Sequence, residues 1–450
     1  MHTLEQLRTG QLAGTRRLDL AAGLTEFPRE IFDLADTLEI LNLSGNALAT
    51  LPADLGRLRH LRILFCSDNL FTAVPECLGQ CPQLSMVGFK ANQIRTLPAA
   101  ALPPQLRWLI LTDNQLEEVP AEIGSCAQLQ KLMLAGNRLR TLPETLARCT
   151  RLELLRLAAN EFAALPAWLL SMPRLSWLAY AGNPFCDALE AAALAQHPIK
   201  TIAWDSLTIG QQLGEGASGV IYRAQWQPAG ATPPTAVAVK LFKGALTSDG
   251  LPHSEMAACI SAGPHPHLIG VAGKIAGHPH KAEGLVLALF DPAFTNLAGP
   301  PSFASCTRDV YAPAAVFTLP TALRIARGVA AAAAHLHARG ILHGDLYAHN
   351  IVTTPPGESL LGDFGAAGFF AVRDAETARA LQQLEVRAFA CLLEELLDRC
   401  PATAAAAAAP LRDLQQRCAQ PAVAARPLFA EIEAVLAAVQ QTLSAAAELR

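Results

Sequence analysis

Several short runs in the second half of this chain carry residue types suited to phosphate chemistry. The run His343-Gly344-Asp345-Leu346-Tyr347-Ala348-His349-Asn350 sets a carboxylate five positions before a carboxamide. A second carboxylate follows in Asp363-Phe364-Gly365, 13 positions after Asn350. Such oxygens are hard ligands of the kind Mg2+ takes, and an aspartate can also accept a hydroxyl proton. Upstream, Gly214-Glu215-Gly216-Ala217-Ser218-Gly219-Val220 lies between two strand-like runs, Leu207 to Gln212 and Ile221 to Trp226. Glycine lets a backbone approach phosphates with no Cβ in the way. A lone G-x-G-x-x-G is a weak signal, and a dinucleotide-binding fold requires a helix after it, whereas a strand follows here. Val237-Ala238-Val239-Lys240 reads as a further strand, and a lysine so placed can hold phosphates. Glu255, 15 residues on in a short helical stretch, can pair with it.

Taken together, the glycine loop, the strand lysine, the Asp345 loop and D-F-G resemble a protein kinase over about residues 205 to 440. His265-Pro266-His267-Leu268-Ile269 is similar to the turn after the first kinase helix. Leu285 to Leu289 is similar to the strand that leads to the adenine-holding hinge, and Arg426-Pro427-Leu428-Phe429-Ala430-Glu431-Ile432 to a late helix of tyrosine-kinase-like members. The resemblance implies ATP and Mg2+ as cofactors. Gly214, Gly216, Gly219, Val220, Ala238, Lys240, Leu287 and Leu289 would line the nucleotide. Lys240 and Glu255 would orient its phosphates, Asn350 and Asp363 would hold the metal, and Asp345 would act as base.

Three departures from that pattern stand out. Gly344 stands where the family has an arginine that receives an activating phosphate. Tyr347 and His349 stand where serine/threonine and tyrosine kinases respectively carry Lys or Arg. No A-P-E motif follows Asp363; Leu384-Glu385-Val386-Arg387-Ala388-Phe389 resembles the central helix of the large lobe, with Glu for the usual Asp. Few helix breakers lie between about Ala375 and Leu397, so the short segment is expected to run into that helix. The expected activity is transfer of the ATP γ-phosphate to a hydroxyl, serine/threonine by family default. The rival is a nucleotide-binding pseudokinase scaffold.

The first half repeats. Asparagines at 46, 69, 92, 114, 137, 160 and 183 are spaced 23, 23, 22, 23, 23 and 23 residues apart. Each follows an L-x-x-L-x-L-like string, and Leu-Pro or Val-Pro pairs recur after them, as at Leu142-Pro143. A short strand points its alternate leucines inward, the Asn satisfies backbone groups of the buried turn, and the Pro opens the return segment. One coil cannot bury its own leucines, so neighbours must stack. The pattern resembles the leucine-rich-repeat family over roughly residues 15 to 190, with the segment from Phe185 to about Ile202 capping the end. Cys81, Cys126 and Cys149 share a core position of the repeat. Between the strand leucines, Ile63, Phe65, Met86, Trp108, Ile110, Met133, Leu154 and Trp177 form an apolar column on the expected concave face. Aromatic and Met enrichment is what partner-binding surfaces show; ordinary lateral packing between strands is the alternative. The partner would be another protein or the chain's own kinase-like domain.

The fold class expected is therefore multidomain α/β: a leucine-rich-repeat solenoid over residues 1–203, then a two-lobed α+β kinase-like domain over 204–450. Composition sets outer bounds. A formal net charge of −4 and no long basic run give no nucleic-acid footprint. The eleven cysteines include no C-x-x-C pair. No apolar run of about 20 residues separates the halves, and the start has no basic stretch leading into an apolar one. These point to a cytoplasmic protein, the kinase resemblance implies a protein substrate, and the alanine and leucine bias hints at a GC-rich bacterial genome.

Overall fold

In the computed structural model, residues 2–448 are described apart from 217, 229, 231–232, 245 and 248, so Ala217 of the glycine loop lies outside the described residues. The chain divides into two compact units, Met1–Leu175 and Ser176–Arg450.

After a short helix α1 (Leu4–Arg8), the first unit is built from seven three-residue strands, one per repeat. They are β1 (Arg17–Asp19), β2 (Ile40–Asn42), β3 (Ile63–Phe65), β4 (Met86–Gly88), β5 (Trp108–Ile110), β6 (Lys131–Met133) and β7 (Leu154–Arg156). Each runs parallel to the next in unbroken register. The middle residues Leu18, Leu41, Leu64, Val87, Leu109, Leu132 and Leu155 are buried. The asparagine ladder works as the spacing demands: Asn137 Nδ2 donates to Leu111 O, Leu134 O and Ala135 O, and its Oδ1 accepts from Leu116 N. Return segments open as 3-10 turns directly after Pro28, Pro75, Pro98, Pro120, Pro143 and Pro166, where a fixed φ starts the turn without needing an N–H. Cys81, Cys126 and Cys149 are core thiols, and burial pushes them up to about 12, 11 and 12.

The second unit begins with β8 (Trp177–Ala179), the last strand of the 23-residue period, and α2 (Pro184–Gln196). A six-stranded sheet follows, in the order β10-β11-β12-β14-β13-β9. Its strands are β9 (Thr201–Ala203), β10 (Leu207–Glu215), β11 (Gly219–Trp226), β12 (Thr235–Phe242), β13 (Val271–Ala276) and β14 (Gly284–Ala288). Helix α3 (Pro252–Ala262) starts on a proline and stops at Gly263, whose φ of +65° no continuing helix adopts. Strand β9, expected among the capping residues of the repeats, pairs parallel with β13, and Ile202 joins Leu207, Val239 and Val286 in the core of that sheet. The period thus ends at β8 and not at the sheet.

The large lobe contains β15 (Thr295–Asn296), α4 (Leu319–Ala338), β16 (Ile341–Leu342), β17 (Ile351–Thr353), β18 (Ser359–Leu361), β19 (Gly368–Phe369), α5 (Ala375–Asp398), α6 (Ala405–Cys418) and α7 (Phe429–Glu448). As the lack of breakers predicts, α5 starts at Ala375, 12 positions after Asp363, and runs through Glu385; Asp374 caps it by accepting from Thr377 N. Arg426, whose motif partner is absent, is buried and donates to the carbonyls of Gln383 and Gln420.

Candidate active site

Register places the small-lobe residues. Lys240 lies in β12, inside the sheet, opposite Ile221 on one side and Leu285 on the other. Ala238 is opposite Leu287, so Ala238, Lys240, Ile221 and Leu287 share the face toward α3. Val220, named in the nucleotide set, pairs with Leu241 and so points to the other face. A one-residue step reverses a strand side chain, and Ile221 takes the place expected of Val220. Leu289 lies one residue past β14. Gly219 is required by close packing, since a Cβ there would stand 2.5 Å from Leu241 O. Gly214 and Gly216 have no atom within 4 Å of where a Cβ would be, leaving open space above the hairpin.

Lys240 Nζ pairs with Glu255 Oε1 from α3, and both are buried. Burial disfavours the ammonium, but Glu255 and then Asp363 outweigh it and raise the Lys240 pKa. The Glu255 carboxyl is itself pushed up, by burial and by Asp363, against the pull of Lys240. Lys240, Glu255 and Asp363 therefore form one electrostatic cluster in which carboxylates outnumber the ammonium.

The Asp345 loop connects β16 to β17. Asn350 Nδ2 donates to Asp345 O at 2.9 Å and to Asp345 Oδ2 at 2.7 Å, which fixes the Asp345 carboxylate and turns the Asn350 amide oxygen to other use. His343 is buried, with Nε2 3.0 Å from Gly362 O and Nδ1 accepting from Asp345 N, an arrangement that calls for the Nε2–H tautomer. Through it the Asp345 loop is tied to the residue before Asp363. Asp363 adopts φ +55°, a rare conformation for a non-glycine residue, and its Oδ1 accepts from Gly365 N.

Glu385 of α5 anchors the same loop from below. It accepts from Gly344 N at 2.6 Å, from His343 N at 3.3 Å, and meets His337 Nε2 at 2.7 Å. Burial opposes its charge, yet the His337 bond and charge, then His343 and Gly344 N, hold its carboxyl below the usual range. A depressed folded value means that this stabilisation is full above the unfolded carboxylate range and is lost as pH falls through the folded one. Glu385→Ala should cost about 3–5 kcal/mol at neutral pH, as removing one partner of a buried pair does. Urea unfolding at pH 7 and pH 4 should show a smaller mutational cost at the lower pH.

His349 is held by Asp309: Nδ1 lies 2.7 Å from Oδ1 and its N–H donates to Oδ2 at 3.2 Å. Burial lowers its pKa, but Asp309, then Asp345 and Asp363, raise it more. Neither Asp309 nor His337 sits in a motif, and no sequence signal marked them.

The apolar column of the repeats is only partly exposed. Ile63, Met86, Met133 and Leu154 are buried, while Phe65, Trp108 and Ile110 keep intermediate exposure. Within the first unit, part of this is lateral packing. The Phe65 ring lies across Gly88, with Ile110 on its other side, and Lys131 Nζ sits 4.3 Å from the Trp108 ring centroid. Trp177, expected to face outward with them, is 1% exposed. It belongs to the second unit, where its ring stacks on Tyr347.

Comparison with known proteins agrees with this layout. Residues 207–399 match the family described as protein tyrosine and serine/threonine kinase. Residues 104–162 and 37–58 match leucine-rich-repeat models. A mouse leucine-rich repeat and calponin homology domain-containing protein 1 is 34% identical over 118 residues, 25% of this chain and 16% of that protein. A serine/threonine-protein kinase US3 homolog of bovine herpesvirus 1.2 is 49% identical over 49 residues, 11% of this chain and 10% of that protein. A rice (Oryza sativa subsp. japonica) protein described as putative cyclin-dependent kinase F-2 is 30% identical over 155 residues, 34% of this chain and 45% of the relative. The chain thus spans less than half the length of each of these relatives.

Proposed function

We propose, for a chain that joins leucine-rich repeats to a protein tyrosine and serine/threonine kinase domain, that the second unit is an ATP- and Mg2+-dependent phosphotransferase acting on serine or threonine hydroxyls. The observation that carries this reading is the buried Lys240–Glu255 pair with the exposed Asp363 carboxylate close by, since a Cβ on Gly365 would lie 3.2 Å from Asp363 Oδ1 and 3.8 Å from Glu255 Oε2, together with the fixed Asp345–Asn350 pair. The residues suit the ligand: open space over Gly214 and Gly216 leaves room for phosphates, and the surplus of carboxylates suits a divalent cation.

In this reading Asn350 and Asp363 would hold the metal through hard oxygens, ATP would supply the phosphoryl group, and Mg2+ would offset the phosphate charge. Lys240, kept charged by Glu255, holds the phosphates in line. Asp345, oriented by Asn350, takes the proton of the incoming hydroxyl. Positioning and electrostatics supply most of the acceleration. Because no helix among the described residues is long and apolar enough to cross a membrane and the cysteines are free, we place the protein in the cytoplasm. The part of the repeat column that keeps intermediate exposure, Phe65, Trp108 and Ile110, would bind a protein partner.

One observation favours a second reading. Helix α5 begins 12 positions after Asp363, which leaves little chain for a peptide-docking platform. A scaffold that binds nucleotide without transfer, or a kinase that labels itself, accommodates this. Thermal unfolding with and without Mg-ATP separates binding from its absence: at 100 times Kd the ligand adds about 2.7 kcal/mol, and chelation with EDTA should remove most of the shift. An unchanged Tm at millimolar Mg-ATP contradicts both readings.

Activation-loop phosphorylation has little to act on. Thr377 is the sole hydroxyl residue between Asp363 and Glu385, and it is already ordered in the first turn of α5 beside the Asp374 cap. Thr377→Ala and phosphatase-treated wild type should each retain the untreated activity within about twofold, because no new Arg-paired charge is lost. A tenfold loss in either sample would make the segment a phospho-switch.

A further inference from the structure

Residues 177 to 190 touch the three elements on which the candidate chemistry depends. The Trp177 indole lies flat on Tyr347, with ring centroids 4.2 Å apart and planes 6° from parallel. Its Nε1–H donates to Leu346 O at 3.1 Å, one residue past Asp345. Beside it, Gly344 has φ +73°, and a Cβ there would stand 2.7 Å from Leu178 O and 2.5 Å from Ala366 O. The departure from the family's arginine thus has a steric cause: β8 and the Asp363 segment close on this position from two sides, and no side chain fits.

The next contact is Tyr180. Its hydroxyl donates to Phe369 O at 3.3 Å, and its ring covers Gly368, where a Cβ would stand 2.9 Å from the ring. This fixes β19, which follows Asp363-Phe364-Gly365 by three residues. The third contact comes from α2. Glu190 is buried and accepts from Ser254 Oγ at 3.0 and 3.1 Å, with His253 Nε2 4.0 Å away. Ser254 directly precedes Glu255, the partner of Lys240, so this bond sets the start of α3.

We infer that Trp177, Tyr180 and Glu190 are positioning residues: a built-in brace that holds the Asp345 loop, the Asp363 segment and α3 in the arrangement in which Lys240, Glu255, Asp345 and Asp363 converge. The brace does the ordering that a phosphate on a long activation loop does through an arginine at position 344. Each contact is local to a different element, buried, and independent of the groups that meet substrate, so supporting residues of this kind lock the geometry without entering the reaction. Its consequence for rate rests on the phosphotransfer reading; its geometry does not.

The test is amide hydrogen exchange on the full chain, read alongside transfer kinetics. Trp177→Ala should speed exchange across 343–350 by at least about tenfold, and Glu190→Ala should do the same across 252–262, while β2 to β6 stay protected, since local opening tracks local contacts. If wild type transfers phosphate, kcat should fall about tenfold or more in each variant with KM for ATP within about twofold, the pattern of lost positioning. Trp177→Phe, which keeps the stack, and Glu190→Gln, which keeps an acceptor for Ser254, should restore most of both readouts. Should Trp177→Ala fail to fold, the Glu190 pair and Tyr180→Phe decide. Unchanged exchange in both segments overturns the brace, whatever the activity. A wild type without transfer would sink the phosphotransfer reading and leave the exchange result to judge the brace alone.

Discussion

Asp345→Asn should bind Mg-ATP as tightly as wild type and lose about 10²–10⁴ in transfer rate, the usual contribution of a positioned general base. The substitution is close to isosteric. An amide oxygen at position 345 can still accept from Asn350 Nδ2, which now meets Asp345 Oδ2 at 2.7 Å, and the backbone bonds from Asn350 Nδ2 and Tyr347 N to Asp345 O are untouched. The loop therefore keeps its shape, and what disappears is the ability to take a proton. Thermal shift with Mg-ATP reports binding, and single-turnover transfer from labelled ATP reports the chemical step. Equal loss of both would mean that Asp345 works mainly as a structural or metal-binding group.

Lys240→Met should have a comparably large effect on two observables at once. It removes the ammonium that balances Glu255 and Asp363, so nucleotide binding should weaken and the fold should lose about 3–5 kcal/mol, the cost of stranding a buried carboxylate. Adding Glu255→Leu should recover most of that stability, because replacing both members of a buried pair by apolar groups is nearly neutral. It should recover none of the transfer. Denaturant unfolding of the two single variants and the double variant gives the coupling energy. Near-additive stabilities would show that the pair seen in the structure is not held in solution.

The repeats were legible because their signal is redundant: seven asparagines spaced 22 or 23 residues apart, each answering the same kind of unsatisfied backbone group, leave little freedom in register. The Lys240–Glu255 pairing was legible because a strand lysine and a carboxylate near the start of the next helix stand 15 positions apart, and the Asp345–Asn350 bond because five positions separate the two in one short loop. Val220 shows how fine that reading must be, since the strand period of two makes its neighbour Ile221 the residue on the Lys240 face. His337 and Asp309 were invisible for the opposite reason. Each is a single polar residue in an unremarkable run, and its role is defined by a partner 48 or 40 positions away. Trp177 was misplaced because a periodic column predicts which side a residue faces but not what covers that side. Gly344 read as the loss of a function; in the structure it is a requirement of packing between Leu178 O and Ala366 O.

The most direct test of the central claim is label incorporation from γ-labelled ATP by the purified full-length protein, with and without a generic protein substrate. Wild type should incorporate label onto serine or threonine only when Mg2+ is present, and Asp345→Asn should stay at the EDTA background. Stabilisation by Mg-ATP together with label no higher than in Asp345→Asn would contradict the phosphotransferase account and leave a nucleotide-binding scaffold in its place.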